Sequence, residues 1–144
     1  MKAMIPYLTF NGNCREAMHF YKECIGGKLL FQTIEESPLS VQLPIKMKKC
    51  VLQATLTIGN VIIMATDMTP ENGLVKGNAV SLLIDCTKEE EIYSCYNKLL
   101  VGGSENHPLE NTFCGAIFGN LTDKYGNHWL LNYNKINKET NQKK

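Results

Sequence analysis

The stretch Asn13-Cys-Arg-Glu-Ala-Met-His-Phe-Tyr-Lys-Glu-Cys-Ile-Gly-Gly27 decides the fold of this chain. Asn13 predicts a helix N-cap, and Glu16 follows three residues later, as in a capping box. The apolar residues recur at helical spacing, which predicts an amphipathic helix that ends at the glycine pair. A strand-like run, Tyr7–Phe10, comes directly before this helix.

The same layout returns in the second half of the chain. Val80-Ser-Leu-Leu-Ile84 leads into Thr87, which predicts a second cap with Glu90 three residues on, and this helix ends at Gly102-Gly103. Alternating apolar and polar residues predict three further strands after each helix. The predicted order is therefore βαβββ, twice. The predicted strands are Tyr7–Phe10, Lys28–Ile34, Val51–Ile58, Val61–Thr66, Ala79–Asp85, Asn106–Glu110, Cys114–Leu121 and His128–Tyr133.

This repetition predicts one domain over residues 1–144, with modules at about 4–67 and 78–134. Pro70, Gly73 and Gly77 mark residues 68–77 as the linker between the modules, and residues 135–144 form a polar tail. Ser37–Lys49, with two prolines, is predicted to be a mobile loop. Two similar modules that face each other would enclose one cavity.

Composition excludes several classes of function. The chain has 144 residues, 44% of them hydrophobic, and a formal net charge of +1, so it carries no strong field for nucleic acid or an acidic membrane. No signal peptide or membrane-spanning run is visible, and we expect a cytoplasmic protein. The six cysteines form no C-x-x-C pair, and we expect buried, reduced thiols, with Cys114 a candidate reactive thiol.

Two motifs carry a family resemblance. One is Pro6-Tyr-Leu-Thr-Phe10 followed by Gly12-Asn-Cys-Arg-Glu-Ala-Met-His-Phe-Tyr21, and the other is Phe118-Gly-Asn-Leu-Thr-Asp-Lys-Tyr-Gly-Asn-His-Trp-Leu-Leu-Asn132. With them the chain resembles the vicinal-oxygen-chelate (glyoxalase/bleomycin-resistance) superfamily, and within it the PhnB-like branch that carries the name "3-demethylubiquinone 3-methyltransferase". The resemblance implies an α+β fold in which two βαβββ modules form a cupped mixed sheet, as in the glyoxalase/bleomycin-resistance/dioxygenase proteins.

The methyltransferase name finds no support in the residues themselves. S-adenosylmethionine is commonly bound by a glycine-rich turn between a strand and a helix. Here both glycine pairs, Gly26-Gly27 and Gly102-Gly103, follow helices and are interpreted as helix ends. We therefore regard methyl transfer as unsupported.

Metal-dependent relatives implied by the resemblance hold a divalent ion on the first and last strands of each module. The corresponding positions fall on Pro6, on Ile63 or Met64, near Ala79 and near Leu130. None of these is a metal ligand, so no metal and no cofactor is expected. A shift of register would bring in Asp67 or His128 but would not complete a ligand set.

The remaining candidates describe an apolar cavity with a few polar groups. His128 and Asp67 are the candidates for a catalytic role, although His128 also fits a half-exposed residue beside a turn, and Asp67 also fits a turn cap. Trp129 and Tyr7 are predicted to face the helices, and Asp123 to form the turn before the last strand. The predicted ligand-binding residues are Leu8, Phe10, Ile63, Ala65, Asp67, Ser81, Leu83, Phe118, His128, Leu130 and Asn132.

Three functions fit this description. The first is a metal-free protein that binds a small, partly apolar molecule and has no assignable reaction. The second is a lyase, isomerase or dioxygenase with unusual metal ligands around His128 and Asp67. The third is an antibiotic-sequestering protein, for which a net charge of +1 gives little attraction to a cationic drug. The resemblance also implies a homodimer.

Overall fold

Each half of the chain builds a four-stranded sheet with one helix. The structure is a computed structural model that describes residues 1–42, 44–113 and 115–135. It divides into a first unit, Met1–Val75, and a second unit, Lys76–Lys144. The boundary lies inside the segment predicted as the linker.

The order of elements confirms the predicted double βαβββ pattern and the α+β fold class. The predicted loop after β2 contains two short 3₁₀ turns, Pro38–Val41 and Ile45–Met47. No helix that the structure describes is long and apolar enough to cross a membrane. The strands and helices are β1 (Tyr7–Thr9), α1 (Cys14–Ile25), β2 (Lys28–Thr33), β3 (Val51–Ile58), β4 (Val61–Thr66), β5 (Leu82–Cys86), α2 (Glu89–Leu100), β6 (Ser104–Asn111), β7 (Ala116–Thr122) and β8 (His128–Asn134).

The two sheets have the same topology. The strand order is β1-β4-β3-β2 in the first unit and β5-β8-β7-β6 in the second. In each sheet the first and last strands of the module pair in parallel, and the other pairs are antiparallel. The antiparallel neighbours are strands that follow one another along the chain. The parallel pair joins the first and last strands of each module, which the helix and the other two strands separate in sequence.

One face of each sheet packs on its own helix. In the first unit this face carries Ala54, Leu56, Ile63 and Ala65, all buried. In the second unit it carries Leu121, Trp129 and Leu131, which are likewise buried beside the apolar side of α2. We call the opposite face of each sheet its open face, because most of its side chains are half-buried or exposed.

The helix N-termini differ from the predicted capping boxes. The Asn13 side chain makes no cap hydrogen bond; the Cys14 N–H donates instead to Asp67 Oδ1, at 2.9 Å. In the second unit α2 begins at Glu89, and the Thr87 N–H donates to Glu91 Oε1 at 2.9 Å. A distant carboxylate satisfies the first helix, which local spacing could not reveal.

The glycine pairs do more than end the helices. Gly26 and Gly102 have φ of +82° and +76°, as expected for residues that end a helix. A Cβ on Gly27 would lie 2.6 Å from the Thr57 carbonyl oxygen, and a Cβ on Gly103 would overlap the Thr122 carbonyl oxygen. The second glycine of each pair therefore allows the chain to pass close to a neighbouring strand.

Candidate functional site

The open face of the second sheet brings together most of the site residues predicted for that half. The strand register aligns Leu83, Leu130 and Asn120 in one row across β5, β8 and β7. The next row contains Asp85, Asn132 and Phe118, and the row on the other side contains His128 and Thr122. The predicted residues Leu83, Phe118, His128, Leu130 and Asn132 therefore share one face.

Apolar and polar groups alternate along this face. Leu83 is 59% exposed, and Phe118 and Leu130 are half-buried. Asn132 Nδ2 donates to Asp85 Oδ1 at 3.1 Å, so the polar pair lies beside the ring of Phe118 in the same row. An apolar centre with polar groups at its edge suits a small ligand that is apolar in part.

His128 is held at both ring nitrogens. Nε2 lies 3.2 Å from the Gly77 carbonyl oxygen, which can only accept, so Nε2 carries a proton in this contact. Nδ1 lies 3.0 Å from Thr122 Oγ1, and Asn106 Nδ2 donates to the same hydroxyl oxygen at 3.0 Å. In the neutral ring the chain of donors therefore runs from Asn106 through Thr122 to His128 and on to Gly77.

This arrangement limits what His128 can do chemically. A general base needs a free nitrogen lone pair within reach of its substrate. The Nδ1 lone pair of His128 already accepts from Thr122, and Nε2 has a carbonyl partner. The observed geometry orients the ring and leaves its catalytic role a prediction.

A pocket of about 400 Å³ opens at the His128 end of this face. Of the residues predicted from the sequence, Ser81, His128 and Leu130 line it. Asn120, Thr122 and Asn106 were missed, although Asn120 lies two residues after the predicted Phe118 and shares its face by strand alternation. The full lining is Asn78, Ser81, Asn106, Asn120, Leu121, Thr122, His128, Trp129 and Leu130.

The first sheet corrects the sequence-based prediction. Phe10, Ile63 and Ala65 are 1%, 5% and 0% exposed and lie on the helix side of the sheet, with the rings of Phe10 and Tyr21 6.4 Å apart. Leu8 pairs with Ala65 and shares that side. The prediction that these four residues line an open face is therefore wrong.

The open face of the first sheet carries the residues that alternate along the strands with those on the helix side. The register aligns Tyr7, Met64, Thr55 and Leu30 in one row across all four strands. Tyr7 is 53% exposed, which also corrects the prediction that it faces the helix. All residues of β4 from Val61 to Ala65 are apolar, so the sequence shows no alternation of polarity that could indicate which of them face the helix.

Asp67 is a structural link in the first unit. Its Oδ1 accepts from the Cys14 N–H and its Oδ2 from the Val51 N–H, both at 2.9 Å. The carboxylate thus joins the end of β4 to the start of α1 and the start of β3. Both carboxylate oxygens therefore have partners within the fold, and a catalytic or ligand-binding role for Asp67 stays a prediction.

Asp123 plays the corresponding part in the second unit. Its Oδ1 accepts from the Tyr125 and Asn127 N–H groups, which confirms the predicted turn. Its Oδ2 accepts from the Trp129 indole N–H at 2.7 Å, in a buried contact. Trp129, which is 1% exposed, is confirmed as a core residue.

The surroundings of three buried thiols, Cys14, Cys86 and Cys95, shift their pKa values. Burial, with the Asp67 carboxylate nearby, raises the pKa of Cys14 to about 12. A hydrogen bond from the Cys86 thiol lowers the pKa of Cys95, and correspondingly raises that of Cys86. Cys114 lies outside the described residues.

Metal ligands do not cluster in the part of the chain that the structure describes, where no group of three or more His, Cys, Asp and Glu side chains could hold an ion. The positions that the family resemblance assigned to a metal, Pro6, Met64 and Leu130 among them, carry no nitrogen or oxygen ligand in their side chains, and Met64 offers only a soft thioether. A metal-free site remains a prediction.

The comparison with protein families decides the family. Residues 2–132 match the family model described as 3-demethylubiquinone-9 3-methyltransferase. The chain belongs to the 3-demethylubiquinone-9 3-methyltransferase family. The match covers both units, so the predicted resemblance to the PhnB-like branch is confirmed.

Known relatives of this 3-demethylubiquinone-9 3-methyltransferase family member match most of its length. The protein PA1353 from Pseudomonas aeruginosa is 33% identical, with a TM-score of 0.82 over 93% of this chain and 98% of that one. The PhnB protein from Bacillus cereus is 28% identical, with a TM-score of 0.74 over 92% and 99%. Protein YjdN from Escherichia coli K12 is 28% identical over 88% of this chain and 92% of its own length.

More distant neighbours confirm the fold. A glyoxalase/bleomycin resistance protein/dioxygenase family enzyme from Burkholderia phytofirmans is 16% identical, with a TM-score of 0.60 over 90% of this chain and 95% of that one. At this identity the likeness concerns the fold, since one scaffold of this kind hosts different functions.

Proposed function

We propose that this family member binds a small, partly apolar molecule on the open face of its second sheet. The observation that carries the proposal is the row of Leu83, Leu130 and Asn120, which places exposed apolar surface beside an uncharged polar pocket. A ligand that covers exposed leucine side chains on a sheet face removes apolar surface from water, which favours binding.

Binding on this face does not require a divalent metal. His128 already has protein partners at both nitrogens, and its neighbours in the pocket offer amides and hydroxyls, which bind divalent ions poorly without carboxylates. The proposal includes no methyl transfer, because the β5–α2 connection contains no glycine-rich turn that could hold a nucleotide-type cofactor. We further propose a homodimer in the cytoplasm, by analogy with the superfamily.

The experiment is a binding titration with a panel of uncharged one- and two-ring aromatic compounds, followed by ligand-observed NMR. Leu83→Gln should weaken binding about tenfold, because it removes apolar contact worth about 1.4 kcal/mol. Leu30→Gln is the matched control: Leu30 is 64% exposed on the open face of the first sheet and should leave binding within twofold. Equal losses in both variants, or no binding to the panel, would refute the proposal.

The metal question is tested separately. Elemental analysis of untagged protein, with thermal-shift titrations of Mn, Fe, Co, Ni and Zn, should show neither stoichiometric metal nor saturable stabilisation. A stabilisation that His128→Ala abolishes would instead support a metal-dependent enzyme.

A further inference from the structure

The pocket at the His128 end of the second sheet is lined without a formal charge. Its side chains include three primary amides, two hydroxyls and one imidazole, and no Asp, Glu, Lys or Arg is among them. A charged ligand group that entered would lose water and meet no opposite charge, which is costly in free energy. The lining therefore favours an uncharged polar group.

Most polar groups on one side of the pocket are already oriented by the fold. The chain from Asn106 through Thr122 to His128 and the Gly77 carbonyl uses the amide nitrogen, the hydroxyl and both ring nitrogens. These contacts orient the groups of that wall and leave it few donors for a ligand. Recognition must therefore depend mainly on another group, and of the three remaining polar side chains Asn78 and Ser81 are exposed.

Asn120 is that group. It is half-buried on β7, and its side chain makes no hydrogen bond within the part of the chain that the structure describes. Its amide offers two donors and one acceptor side by side. A half-buried amide in this position is best satisfied by a ligand that accepts and donates at adjacent atoms.

The neighbours of Asn120 define the rest of the ligand. The register places Leu130 directly beside Asn120, with Leu83 next in the same row. A ligand with an amide-type edge at Asn120 would therefore lay an apolar part across the two leucines. Contact with both would stabilise one orientation of the ligand.

We propose that the pocket recognises an uncharged carboxamide-type group, such as a primary amide, lactam or urea. Asn120 donates to the ligand's carbonyl oxygen and accepts from its N–H, while Leu130 and Leu83 contact the apolar part. This inference rests on the proposed binding function and adds the chemical class of the ligand.

Three probes of the same shape test the inference: benzamide, benzoate and benzamidine, which are neutral, anionic and cationic. Titrations monitored by NMR shifts of the ¹⁵N-labelled full chain should give benzamide an affinity at least about tenfold higher than the other two. The Asn120 side-chain NH₂ signals should shift with benzamide.

The substitution Asn120→Asp changes the pairing and should invert this preference. A carboxylate accepts at both oxygens, so benzamidine should bind at least about tenfold more tightly than to the unmodified chain, and benzamide about tenfold more weakly. Asn60→Asp, on the exposed turn between β3 and β4, adds the same charge in the first unit and should leave all three affinities unchanged.

The outcomes separate the two proposals. If the aromatic panel binds in a Leu83-dependent manner but the three probes are indistinguishable or fail to bind, the carboxamide inference is wrong and the binding function stands. If neither panel nor probes bind, both are wrong. An unchanged ranking in a folded Asn120→Asp variant would overturn the role of Asn120.

Discussion

The two units share a topology but use their open faces differently. In the first sheet the central row of the open face is Tyr7, Met64, Thr55 and Leu30, a mixed surface with two hydroxyls. In the second sheet the rows contain amides, an imidazole and a carboxylate around two leucines and a phenylalanine. One fold repeated twice can therefore carry different side chains on the corresponding open faces.

The units also differ in how a buried carboxylate holds each module together. Asp67 accepts two backbone N–H groups and is half-buried, whereas Asp123 accepts two backbone N–H groups and an indole N–H and is 3% exposed. Both lie just after a strand of their sheet. Loss of the carboxylate should destabilise the second unit more than the first, because water can reach fewer of the donors that would be left without an acceptor.

The largest expected difference between the units concerns their helix cysteines. Thiolates react with iodoacetamide, and burial raises the pKa of Cys14 to about 12, while the hydrogen bond from Cys86 lowers the pKa of Cys95. At pH 8 Cys95 should therefore be alkylated faster than Cys14, because a larger share of it is thiolate. Mass spectrometry of the native protein over time measures both rates.

Two features check this result. The rate at Cys14 should rise about tenfold for each pH unit, since its thiolate stays a minority until the pH approaches its raised pKa. In guanidinium chloride both cysteines should react at similar rates. Equal native rates at pH 8 would show that the two thiols do not differ as the structure indicates.

The next largest effect concerns the two carboxylates. Asp123→Ala leaves two backbone N–H groups and the Trp129 indole without their acceptor in a buried place, and should lower the free energy of unfolding by about 3.5 kcal/mol. Asp67→Ala should cost about 2 kcal/mol, because water reaches part of that site. Urea unfolding measures both.

A larger loss for Asp67→Ala than for Asp123→Ala would reverse the comparison between the units. Trp129→Phe provides a control for the indole contact, since it removes one donor and leaves the turn intact. We expect Asp123→Ala and Trp129→Phe to be non-additive, because the two side chains share a hydrogen bond.

The smallest expected change in the free energy of unfolding belongs to the open face of the first sheet. Ile63→Ala should lower the free energy of unfolding by about 2.5 kcal/mol, because it opens a cavity on the helix side of β4. Tyr7→Ser, on the open face, should change it by no more than about 0.5 kcal/mol. Chemical denaturation of the two variants in parallel measures the difference.

The reverse result would restore the face assignment that the sequence suggested. A large loss for Tyr7→Ser with little change for Ile63→Ala would place Tyr7 against the helix, and Ile63 with its alternate neighbour Ala65 on the open face. The same pair of variants therefore decides which residues of the first sheet a ligand could reach.

The amino-acid sequence alone determined the helices and strands and their order along the chain. Helical spacing after Asn13 and Thr87, glycine pairs at the helix ends and strand-like runs predicted βαβββ twice, and the structure confirms it. In the second unit, Trp129 and Asn132 differ enough in polarity from their neighbours to indicate the two faces of β8. That contrast is why the sequence correctly placed Leu83, Phe118, His128 and Leu130 on one face.

Only the tertiary structure decided the rest. β4 is apolar on both sides, so its face followed from packing: the small Ala54 and Ala65 lie against α1, and Tyr7 and Met64 do not. Asp67 bonds residues far from it in sequence, which no local pattern encodes. Local spacing determines helices and strands because it repeats with their geometry, whereas the partners of a carboxylate or the lining of a pocket depend on contacts between distant residues.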